Sequence, residues 1–175
     1  MRTHLDHLFE PGGPYVSAGL GESERRNWNT QAFYARPGLR CCARNLRGPK
    51  MRTVQGLMNE FPAALQFFDD FGENWYALEE CLSYLDEWLP ADAYILVIER
   101  CEELLKDEPG ELTTFLKVLH AVGSFWSQTI DDKSRFSRKA IPFNVLLHFS
   151  QDSGKKLRRL REVANQAGVP LHESS

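Results

Sequence analysis

Long apolar runs are missing from this chain. None approaches the ~20 residues that a membrane helix needs, so no membrane partner is expected. The opening Met-Arg-Thr-His-Leu-Asp-His-Leu-Phe-Glu contains no apolar secretory core, and the expected location is cytoplasmic. Cysteine is sparse, with four residues in 175, which does not suggest a disulfide framework. Cys41 and Cys42 are adjacent and cannot form a Cys-x-x-Cys pair, while Cys81 and Cys101 fall on apolar stripes and read as core thiols. The phosphate-binding Gly-x-x-x-x-Gly-Lys-Ser/Thr loop is missing too. Gly19-Leu20-Gly21 lacks the third glycine of a dinucleotide site, and no clear strand precedes it. His4, Asp6 and His7 sit in an amino terminus expected to fray. His120 and His148 read as structural, with His148 needing a hydrogen-bond partner inside an apolar strand. These absences lead to an expectation of no metal, no cofactor and no catalytic residue.

A more local scarcity is more telling. Between Phe61 and Leu105 there are eleven acidic residues and one basic residue, Arg100. That segment carries −10, and the overall charge of −3 leaves +7 for the rest of the chain. The basic excess lies in 36–52, 133–139 and 155–161. A charge run is ordinarily a solvated face. Here Trp75 and Tyr76 lie inside the acidic block, and carboxylates mixed with exposed aromatic surface suit an interface with a basic protein.

What is present describes a globular α/β chain. A hydrophobic content of 42% in a chain of this length supports a core without staples, since domains of about 150 residues bury roughly two-thirds of their unfolded surface. Pro11 to Pro14 marks a turn. Glu22–Tyr34 reads as a short helix with Trp28 and Ala32 on one side, and Arg36-Pro37-Gly38 as a break. Leu39–Leu46 reads as a strand. Thr53 caps a helix with Val54, Leu57, Met58 and Phe61 inward, which Pro62 ends or restarts. A loop follows over 66–73, then a helix over Trp75–Leu89. Ala93–Glu99 is a near-continuous apolar run, as in a buried parallel strand. Pro109-Gly110 opens a long helix with Leu112, Phe115, Leu116 and Leu119 inward. A charged loop covers 131–139. Ile141–Phe149 is another strand, with Pro142 at its start, and Lys155–Gln166 is a basic helix docked by Leu157, Leu160 and Ala164. Strands alternating with helices predict a parallel sheet, here of three strands. The expected division is an amino-terminal extension over 1–36, a domain over 37–150 and a basic helix or tail over 151–175.

The richest segment runs from Asp69 to Leu82. Asn74 stands where a helix N-cap belongs, and Gly72 permits a bend before it. Leu78, Cys81, Leu82 and Leu85 recur at helical spacing as a buried stripe. The opposite stripe is Tyr76, Glu80, Ser83 and Glu87, with Glu79 beside it and no lysine or arginine to neutralise it. Glu79 and Glu80 are poor candidates for acid–base chemistry. Neighbouring helix positions diverge by about 100°, and an exposed face lacks the desolvation that would split their pKa values. Fixed carboxylates are better suited to gripping the Arg and Lys side chains of a partner.

The string Phe71-Gly72-Glu73-Asn74-Trp75, with Ala77-Leu78 and Glu80-Cys81-Leu82, resembles the loop and second helix of the barstar family, intracellular inhibitors of the secreted ribonuclease barnase. The likeness extends more loosely from about Leu39 to Phe149. It implies a small three-stranded parallel sheet with helices packed against it. It also implies that Gly72, Asn74 and Glu80 occupy nuclease-binding positions, with Glu80 replacing an aspartate and Trp75 an aliphatic residue. Tyr76 stands where the family has an aspartate, Glu79 where it has a tryptophan, and Asp70 where it has a tyrosine. On the long helix, Ala121 and Phe125 stand where the family has glutamates. These departures point to a cognate toxin other than barnase.

The expected function is that of an immunity or inhibitor protein. It would be monomeric, make no direct nucleic-acid contact and block the active site of a basic ribonuclease toxin. The partner-binding residues are Asp70, Phe71, Gly72, Asn74, Trp75, Tyr76, Glu79 and Glu80. Two other readings stand beside it. One is a small α/β enzyme or ligand-binding protein with a pocket at the carboxyl ends of the strands. The other is a regulatory interaction module not directed at a nuclease.

Overall fold

A computed structural model describes residues 5–33, 38–135 and 137–173. Five parallel strands form one sheet in the order β2-β3-β4-β1-β5. They are β1 (Val16–Leu20), β2 (Cys41–Arg47), β3 (Ala93–Glu99), β4 (Phe143–Phe149) and β5 (Leu171–Glu173). The helices are α1 (Glu22–Phe33), α2 (Val54–Leu65), α3 (Trp75–Ser83), α4 (Leu112–Trp126) and α5 (Gly154–Ala167). Tyr34, the Arg36-Pro37 break, His4 and the side chain of Ala32 lie outside the described residues.

Alternation along the strands divides the molecule into two apolar layers. Ile95, Val97 and Leu146 face α1 and pack with Trp28, Leu5 and Leu8. Tyr94, Leu96, Ile98, Val145 and Leu147 face the other way, into the larger core under α2, α3, α4 and α5. β3 and β4 are covered on both faces, which is why they read as unbroken apolar runs.

The sheet has five strands where the sequence predicts three. β1 is hard to see because its α1-facing residues are small, Ser17 and Gly19. A Cβ at Gly19 would lie 2.9 Å from ring carbons of Trp28 and 2.7 Å from Glu24 Cγ, so the close approach of α1 requires glycine there. A strand therefore does precede Gly21, which takes φ +88° and turns the chain into α1. β5 has only three residues, too few to show a period. His148 finds its partner at this junction. Its Nε2 lies 3.1 Å from the Gly21 carbonyl, and a carbonyl only accepts.

Two helices also depart from expectation. α2 runs through Pro62 and stops at Leu65. Its last turn closes with Gln66 in the left-handed conformation, where the Gln66 and Phe67 amides both donate to the Pro62 carbonyl, an ending more often made by glycine. The Trp88 indole satisfies the Leu65 carbonyl at 2.8 Å. α3 ends at Ser83 instead of Leu89 and gives way to a 3-10 turn over Leu85–Glu87. The Trp126 indole donates to the Leu82 carbonyl at 2.8 Å. In a continuing helix that carbonyl would accept from residue 86, so α4 takes an acceptor that the next turn would need.

Candidate protein-binding face

α3 packs beside α4, start against start and end against end. At the start, Trp75 Nε1 donates to Glu111 Oε2 at 3.1 Å, and its ring lies 6.1 Å from Phe115. At the end are the Trp126–Leu82 bond and the contact of Tyr84 with Phe125, 5.8 Å between ring centres. Leu78, Leu82 and Leu85 are fully buried beneath. Cys101 is buried as the stripe predicts, whereas Cys81 is only half-buried. The loop over 66–74 returns the chain from the end of α2 to the start of α3, where Glu73 accepts from Gln55 at 3.1 Å.

The loop is built from local bonds. Asn74 caps α3 by accepting from the Ala77 amide at 3.0 Å, while its own amide group donates to the Gly72 carbonyl at 2.9 Å. The left-handed residue is Glu73, φ +48°, and not Gly72. A Cβ at Gly72 would lie 3.2 Å from Asn74 Nδ2 and 3.3 Å from Ala77 Cβ, a tight fit against the capping side chain. Phe71 is half-buried and meets Phe67 edge to face at 5.2 Å.

On this frame the outward side chains form one acidic and aromatic face. Asp70, Glu79 and Glu80 are exposed, as are Asp69 and Glu87. The loop and the helix share one electrostatic surface. Burial raises the pKa of the Cys81 thiol, and the carboxylates of Glu80 and Asp70 raise it further. None of these five carboxylates makes an ion pair with a described residue. The large apolar side chains exposed among the described residues are Phe68 at 55%, Tyr76 at 78% and Tyr84 at 40%, and all three lie here.

The eight residues expected at the interface thus divide by position. Asp70, Tyr76, Glu79 and Glu80 point outward. Gly72 and Asn74 are exposed and shape the loop. Phe71 and Trp75 are half-buried and brace it from within. Sequence reasoning missed Phe68, which lies edge-on to Trp88 at 4.9 Å, and Tyr84. It placed Ser83 outward, three residues after Glu80, yet Ser83 is buried. Continuing the Tyr76–Glu80 spacing of four would have reached Tyr84. Beyond Tyr84 a cleft of about 380 Å³ lies between Asp86, Glu87, Phe125 and Arg138. Arg138 closes its floor by stacking on Trp126, 4.3 Å to the ring centre, and donating to the carbonyls of Phe125 and Gln128.

A family model described as Barstar (barnase inhibitor) matches residues 42–148. The chain belongs to the barstar family. No curated protein matches it. The matched region holds α2, the loop, α3, β3, α4 and nearly all of β2 and β4, so it supplies three adjacent strands of the sheet. β1, α1, α5 and β5 lie outside the match and add a strand pair at one edge. No helix among the described residues is long and apolar enough to cross a membrane.

Proposed function

We propose that this barstar-family chain is a cytoplasmic inhibitor or immunity protein without catalytic activity of its own. It docks its 66–74 loop and α3 into the active site of a basic ribonuclease toxin. The observation that carries this reading is the set of exposed, unpaired carboxylates around Tyr76 and Phe68, on the segment that matches the family. A ribonuclease site is built to hold phosphates, and its cations are the complement of such a face. Asp70, Glu79 and Glu80 would take the places of substrate phosphates by charge-assisted bonds to Arg and Lys. Tyr76 and Phe68 would supply the aromatic anchors. The aromatic and acidic exchanges at Asp70, Tyr76 and Glu79 fit a toxin other than barnase.

The test is capture with this chain as bait, followed by an RNA-cleavage assay on what is captured. The expected result is a basic ribonuclease inhibited at a one-to-one ratio and released by Glu80→Lys. Capture of a partner without ribonuclease activity, held through the same residues, would favour a regulatory module instead. RNA turnover by the chain itself, abolished at Glu79 or Glu80, would overturn the inhibitor reading.

A further inference from the structure

The helix outside the family match has a surface of opposite sign. Lys155, Lys156, Arg158 and Arg159 are exposed, and none makes a hydrogen bond or ion pair with a described residue. Leu157, Leu160 and Ala164 are the buried stripe of α5. A turn of 100° per residue then points Lys155 straight outward, with Arg158 and Arg159 on either side of it and Lys156 closer to the buried stripe. These cations occupy the first two turns, where the helix macrodipole disfavours positive charge. No acidic residue in the first turn offsets them. Asp152 and Glu162 are the acidic residues flanking and within α5, and neither forms an ion pair with them. Between α5 and the 101–112 segment, Lys156 and Arg159 line a cleft of about 80 Å³ together with Glu102 and Lys106, and Lys106 is already paired with Glu103.

Charge alone does not name a partner, but what accompanies the charge does. The acidic face carries the exposed Phe68, Tyr76 and Tyr84, whereas α5 exposes no large apolar side chain. A protein partner would want aromatic or apolar anchors, and single-stranded nucleic acid would want stacking platforms. A duplex phosphate backbone needs neither, only cations at fixed positions. Lys155 and Arg159 are about 6 Å apart along the helix axis.

We propose that the outer face of α5 binds the phosphate backbone of duplex nucleic acid without reading its sequence. α4 stands between α3 and α5 and packs against both, so this face is separate from the acidic one.

Anisotropy of a labelled, mixed-sequence DNA duplex of about 20 base pairs, titrated with the full chain across a salt series, tests this. Four phosphate contacts predict a slope of log affinity against log salt of about −3.6, falling to about −1.8 in K155Q/R159Q with roughly tenfold weaker binding at low salt. R26Q/K117Q removes equal charge elsewhere and should leave binding within about twofold. Thermal melts establish that both variants fold. Ribonuclease inhibition by K155Q/R159Q should be unchanged, which keeps this result separate from the inhibitor reading. The proposal falls if the duplex does not bind at low salt. It also falls if the two double variants lose binding equally, or if polyglutamate binds more tightly than the duplex.

Discussion

The carboxylates at the carboxyl end of the sheet and those on α3 come from neighbouring parts of the chain but live in opposite surroundings. Glu99 lies 3.3 Å from Arg25, and Glu103 and Asp107 lie 2.8 and 2.7 Å from Arg52. Glu102 accepts from the Ser150 hydroxyl and amide. Glu60, almost fully buried, takes two bonds from the Arg47 side chain and one from its backbone amide. These groups fasten loops. Asp69, Asp70, Glu79, Glu80 and Glu87 fasten nothing, and their mutual repulsion is uncompensated within the described residues. The −10 of the 61–105 segment therefore overstates the docking charge, because Asp92, Glu99, Glu102 and Glu103 are already paired. A paired acid serves the fold. An unpaired one leaves its field outside the molecule, where a basic partner can use it.

The comparison breaks most sharply at Glu80. If it meets a desolvated cation of the partner, Glu80→Ala should weaken binding by about 2–5 kcal/mol, much of it from stranding that cation. The range is the general one for truncating one member of a buried charge pair, of which barnase–barstar is the worked example. Stability should move by less than about 0.5 kcal/mol, as for other exposed sites. Calorimetry with the captured ribonuclease and urea unfolding of the free protein measure the two quantities. A stability loss matching the binding loss would place Glu80 among the structural acids.

Glu60 should show the reverse. Glu60→Ala removes charge-assisted bonds from a buried site and should cost about 1.5–3 kcal/mol of stability, with affinity unchanged. The bonds from Arg47 hold the Glu60 carboxyl below its ordinary 4.5. A lowered folded-state pKa contributes stability above the unfolded value and loses it as pH falls through the folded one. The gap between wild type and Glu60→Ala in urea midpoints should therefore be wide at neutral pH and should narrow as acid carries the solution below the ordinary carboxylate range. A gap independent of pH would mean that packing, not charge, is what Glu60 provides.

The difference between the two acidic sets was only half legible in the sequence. Ala93–Glu99 reads as a strand and is one, since both of its faces are buried and every residue is apolar until Glu99. Thr53 and Asn74 read as caps, because capping depends on local geometry that a few residues determine. Charge pairing is not local. Arg52 reaches Asp107 and Arg25 reaches Glu99 across the fold, so counting charges along the chain could not separate them. β1 was hidden for a similar reason. Gly19 is small because Trp28 lies over it, a contact that no periodicity announces. The short α3 was hidden by Trp126, forty-four residues away from the carbonyl it takes.

Asn74→Ala sharpens the comparison from the side of geometry. The side chain bonds both the Ala77 amide and the Gly72 carbonyl, so it joins the loop acids to the helix acids. Its loss should cost about 1 kcal/mol of stability. Binding should also fall, because Asp70 and Glu80 would no longer be held to one surface. Hydrogen exchange at Ala77, Leu78 and the loop amides would locate the change. Lost affinity with unaltered exchange would mean that Asn74 touches the partner directly.

The smallest effect belongs to Glu87. It is unpaired and exposed like Glu80, but it lies past the end of α3, in the 3-10 turn beside the cleft of Tyr84 and Phe125. If α3 and its loop are the centre of the interface, Glu87 is on the rim, where water and salt screen it. Rim charges steer encounter more than they hold the complex. Glu87→Ala should lower affinity by about 0.5 kcal/mol or less, almost entirely through a slower on-rate at low salt. The difference from wild type should vanish as screening shortens the Debye length to about 3 Å near 1 M salt. Stopped-flow association at several salt concentrations, with dissociation followed separately, would measure this. A faster off-rate for Glu87→Ala that persists at high salt would move the centre of the interface from the loop and the start of α3 to the cleft at its far end.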